Sequence, residues 1–119
     1  MFEHIKKIKG NVLAIAISGE ITENEHRRLD RLIEQRAAEW ERIRILVVLK
    51  HYPSFNSAES LYEDLRMVVK HSDRVDRLAV VGDRLWKRTW VGLFGLFSGI
   101  ETDFFEMEQI EAACRWVTQ

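Results

Sequence analysis

The sequence predicts a small α/β domain built on a mixed, mostly parallel sheet of four to five strands with about four helices. Three observations lead there. Val12–Ser18, Ile43–Leu49 and Arg77–Val81 are short apolar runs rich in branched residues, as buried strands are. Between them lie stretches with apolar residues three and four apart, the spacing of a helix that covers one face of a core. Single helices between strands imply crossovers, which parallel strands require. At 119 residues, 46% hydrophobic and 31% charged, the chain is long and apolar enough for one domain, residues 1–119, with a core of its own.

Taken in order, Phe2 to Lys9 is mixed, and Gly10-Asn11 is a turn signal. Val12–Ser18 is the first buried strand and can pair with the preceding stretch as a hairpin, antiparallel at one edge. Thr22-Glu23-Asn24-Glu25 has the form of a capping box, in which the Thr22 hydroxyl and the Glu25 carboxylate each satisfy a free backbone N–H. Glu20, Glu23 and Glu25 also complement the positive end of the helix they open. That helix should turn Leu29, Leu32, Ile33, Arg36, Ala37 and Trp40 inward. Ile43–Leu49 is the strongest buried strand, and His51-Tyr52-Pro53-Ser54 breaks it. Asn56 or Ser57 then caps a second helix with Leu61, Leu65, Val68 and Val69 on one side. Arg77–Val81 is a core strand ended by Gly82-Asp83. Asp83 can cap a third helix over Leu85–Phe97, and Gly99 ends it. Thr102–Phe105 is a short last strand. Met107–Val117 is a last helix with Ile110, Ala113, Cys114 and Val117 inward.

The segment from Leu85 to Gly99 is the most unusual. Its only charges are Lys87 and Arg88, and it holds two tryptophans, two phenylalanines and three glycines. On a helical wheel, Leu85, Trp86, Trp90, Leu93, Phe94, Leu96 and Phe97 fill about half the circumference, whereas a covering helix needs only ~100°. The surplus must be buried under a neighbouring helix, in a partner chain, in a bilayer surface or against an apolar ligand. Aromatics beside Lys and Arg are the ingredients of an interfacial helix. As a helix the segment would reach only ~21–23 Å, too short for a hydrocarbon core of ~30 Å. Trp86, Trp90, Leu93, Phe94 and Phe97 are therefore candidates for apolar contact, and Lys87 and Arg88 for headgroups. The helix would act as a gate. A homodimer that buries it permanently is the other expected arrangement.

Other chemistry is poorly represented. The net charge of −1 gives no footprint for nucleic acid. The N-terminus lacks the continuous apolar run of a signal peptide, so a cytoplasmic protein, at most peripheral at the inner membrane surface, is expected. A lone Cys114 cannot form an internal disulfide and is expected to be a packed thiol. His4, His26, His51 and His71 form no metal-binding pair, so no metal site is expected. No phosphate-binding glycine loop and no nucleophile elbow occurs, and neither a cofactor nor an enzymatic activity is expected. The loop His51–Ser57 follows the most buried strand, and ligands of open α/β sheets bind beyond the carboxyl ends of strands. There Ser54 and Ser57 can cap a helix, bind an anion or accept a phosphate. Phe55 could add to an apolar pocket, and Tyr52 offers a hydroxyl.

The succession VLAIAISGEIT, IRILVVL, a serine-bearing loop, DRLAVVGDRLW and ETDFFE resembles the SpoIIAA-like group of small bacterial proteins. The phrase VGDRLWKR with its greasy helix contributes to the likeness. That group is related in fold to STAS domains and to CRAL-TRIO lipid-binding domains. The resemblance implies two functions. Its sporulation side implies a regulatory protein–protein module with a phosphorylatable serine near Ser54 or Ser57, although PSFNSAES lacks the flanking Asp and Gly of that motif. Its CRAL-TRIO side implies a lipid or other apolar ligand held under a movable helix, here Leu85–Phe97.

Overall fold

The computed structural model describes residues 2–6, 8, 10–18, 21–50, 66, 70–84 and 99–119. Five strands form one sheet: β1 (Phe2–His4), β2 (Val12–Ser18), β3 (Ile43–Lys50), β4 (Val75–Gly82) and β5 (Glu101–Glu106), side by side in chain order. β1 is antiparallel to β2, and β2 through β5 are parallel. The hairpin turns at Gly10, whose φ of +85° suits a residue without Cβ. The mixed, mostly parallel sheet expected from the apolar runs is thus present. Among the described residues there are two α-helices, α1 (Glu23–Trp40) and α2 (Ile110–Thr118), where the sequence predicts about four. The other two expected helices fall on residues 51–65, 67–69 and 85–98, outside the described residues.

α1 begins as its sequence dictates. The Thr22 hydroxyl accepts from the Glu25 N–H at 3.2 Å, and Glu25 Oε1 accepts from the Thr22 N–H at 3.0 Å. The other Glu25 oxygen accepts from the Phe2 N–H at 2.8 Å, which ties the edge strand to the helix start. His26, Leu29, Ile33 and Ala37 are buried. Trp40 corrects the expected stripe, being 51% exposed. Helical spacing fixes its direction, but it is the last residue of α1. Arg36 lies on the stripe without being apolar: its guanidinium donates to the carbonyls of Gly10 and Val12 at 2.9 and 2.8 Å, clamping the hairpin turn.

The two sheet faces differ in side-chain size. Toward α1 the strands present Leu13, Ile15, Ile17, Ile43, Ile45, Val47, Leu49, Leu78 and Val80, with Phe104 from β5. Toward α2 they present Val12, Ala14, Ala16, Leu46, Val48, Ala79 and Val81, against Ala113 and Val117. Small residues let a short helix approach the sheet closely. Ile5, Ile8, Phe105, Cys114 and Trp116 pack around this second core. Ile110, expected inward, is 39% exposed in the first turn of α2.

Arginines from distant elements satisfy the helix C-termini. α1 has no basic residue in its last turn, and Arg74 donates to the carbonyls of Glu41 and Ala37 at 3.0 and 3.3 Å. Arg44 of β3 and Arg77 of β4 donate to Val117 and Trp116 at the end of α2, at 3.0 and 2.7 Å. A bulge inserts Asp76 into β4 opposite the step from Ile43 to Arg44. Asp76 Oδ1 accepts from Arg42 Nε at 2.6 Å.

Candidate functional site

Two places gather polar chemistry among the described residues. The first is an open groove of about 810 Å³ between the Glu3–Ile8 segment and α2. Leu46 and Val48 form its floor, and Ile5, Ile8, Ile110 and Cys114 form apolar walls. Glu3, Lys6, Lys50, Glu111 and Arg115 ring it with both signs of charge. His4 lines one end, with Nε2 buried and without a hydrogen-bond partner among the described residues. Burial, then the positive charges of Arg36 and Lys6, holds the His4 pKa below its ordinary value, so a neutral imidazole faces this end. Cys114 is a half-buried free thiol on the wall. An apolar floor inside a charged rim suits an amphipathic small molecule or side chain.

The second place joins α1 to the segment entering β4. His71 Nε2 lies 2.6 Å from Asp30 Oδ1, and Lys70 Nζ lies 3.4 Å from Asp30 Oδ2. Glu34, one turn further along α1, stands with them. The hydrogen bond from His71, then the Lys70 ammonium, holds the Asp30 carboxyl below the usual carboxylate range against the opposing effect of burial. The sequence gives little warning of this cluster, because His71 is 41 residues from Asp30. The acidic pair at i, i+4 was its only local signal.

The residues singled out from the sequence lie elsewhere. Ser54 and Ser57 fall in 51–65, and Trp86, Lys87, Arg88, Trp90, Leu93, Phe94 and Phe97 fall in 85–98, both outside the described residues. The sheet does place the ends of both segments. β3 finishes at Lys50 and β4 at Gly82, so the chain leaves the carboxyl edge of the parallel strands at both points. No helix among the described residues is long and apolar enough to cross a membrane.

The order of strands and their edge hairpin define an α/β module of SpoIIAA-like architecture. The SpoIIAA-like family model matches residues 12–118, so the chain belongs to the SpoIIAA-like family. Among solved structures it is similar to an uncharacterized protein of the DUF3478 family with a SpoIIAA-like fold from Shewanella loihica PV-4. That likeness has a TM-score of 0.63 at 23% identity, covering 89% of this chain and 83% of the other. A search of curated proteins found no match.

Proposed function

We propose that this chain is a non-catalytic regulatory module of the STAS type, which acts by contact with a partner protein through residues 51–57. The observation that carries the reading is membership of the SpoIIAA-like family across residues 12–118. The topology supports it. β3 is the central strand of the sheet and its last residue is Lys50, so Ser54 and Ser57 follow the carboxyl edge where such sheets receive ligands. A phosphoryl group on either serine would add nearly two negative charges within seven residues of Lys50 in the chain and change what that segment attracts. The test is the mass of the 51–65 region in protein recovered from its native host. The reading expects one phosphoryl group, lost in the S54A or the S57A variant.

The groove favours a second reading, an apolar or amphipathic small ligand. Its volume of about 810 Å³ falls within the range of small-molecule sites, roughly 300–1,000 Å³. The wider form of this reading has the Leu85–Phe97 segment meeting lipid through Trp86, Trp90, Phe94 and Phe97. Tryptophan emission on titration with anionic vesicles tests it. A blue shift that fades with salt supports lipid contact, and unchanged emission removes it.

A further inference from the structure

We propose that Asp30, Glu34 and His71 form a binding site for a divalent transition-metal ion of the zinc type, separate from the groove. One donor atom from each of the three lies within 4.8 Å of the others. Asp30 and Glu34 are four apart on α1, so both carboxylates stand on one face, where like charges repel. His71 reaches them from the far end of the β3–β4 connection. The set is therefore assembled by tertiary structure and is not a by-product of acidic spacing along one helix.

The chemistry of the donors selects the ion. One imidazole nitrogen and two carboxylates suit zinc and its neighbours better than calcium or magnesium, which take oxygen alone. Donors at ~2.1 Å around a tetrahedral zinc stand roughly 3.4 Å apart. The 2.6 Å contact between His71 and Asp30 would open by about that difference, and Glu34, which is exposed, would rotate inward. The His71 and Asp30 side chains retain 15% and 22% of their exposure. Folding has thus already removed most of their water, while one side stays open for a water ligand on the ion. Lys70 is the local rival, since its ammonium lies 3.4 Å from Asp30 and is 58% exposed. It is solvated enough to swing away, and its removal should strengthen the site.

The experiment is calorimetric titration of the full chain with zinc chloride, and with cobalt(II) followed by visible absorption. Wild-type protein should bind one ion, with cobalt bands that report a nitrogen ligand. H71A should lose those bands. E34Q, which alters an exposed side chain and should fold normally by circular dichroism, should weaken zinc by roughly tenfold. K70A should tighten it. No binding at millimolar zinc overturns the proposal. So does binding that is undiminished in folded E34Q and H71A, or that K70A fails to tighten.

Discussion

At the scale of single residues, strain and unpaired polar atoms decide what substitution will do. Glu41 follows α1 with φ 68° and ψ −56°, and the Arg42 N–H donates to the Trp40 carbonyl at 2.7 Å. This is the rare γ-turn that L-residues enter only under strain. E41G should raise stability by about 1 kcal/mol in urea unfolding, because glycine accepts that φ freely. E41V should lower it. Thr102 is 8% exposed, and its hydroxyl is buried without a hydrogen-bond partner among the described residues. T102V keeps the shape and removes the unpaired group, so its melting temperature should equal or exceed the wild type's; a clear fall would mean the hydroxyl has a structural role.

At the scale of elements, α1 and α2 each depend on arginines that local sequence does not reveal. The start of α1 was legible, because a capping box is four consecutive residues. Its end was not, because Arg74 is 37 residues from the Ala37 carbonyl it caps. Arg77 supports α2 in two ways, by its bond to the Trp116 carbonyl and by its guanidinium 5.1 Å above the Trp116 ring. It also bridges to Glu101 of β5 at 3.1 Å. R77A should cost about 1–2 kcal/mol and loosen α2, read as faster amide exchange across Ile110–Thr118. The strands were legible as apolar runs, but their faces were not. A run such as VLAIAIS is apolar on both sides, and only packing shows that Leu13, Ile15 and Ile17 meet α1 while Ala14 and Ala16 admit α2. Trp40 shows the same limit: spacing gives a direction, not whether the neighbouring core reaches that far.

At the scale of the whole molecule, acid should act at the junction of β1 and α1. Burial pushes the Glu25 carboxyl up. The N–H groups of Thr22 and Phe2 outweigh it, so the folded pKa lies below the ordinary 4.5. The unfolded chain therefore takes up this proton first as pH falls. The stability Glu25 contributes is full above 4.5 and is lost as pH drops through its lower folded value. The urea midpoint should fall in that window, and E25Q should flatten the fall. The candidate sites were only partly readable in advance. The serine loop and the aromatic segment stand out by composition. The groove depends on residues brought together from both ends of the chain, and the Asp30–Glu34–His71 cluster on residues 41 apart.

The claim that this module works by protein contact is tested most directly by placing a photocrosslinking amino acid at Tyr52 or Phe55 in the native host. The account predicts one discrete crosslinked protein, lost when Ser54 and Ser57 are both replaced by Asp. Crosslinks to lipid alone, or none at either position, would contradict it.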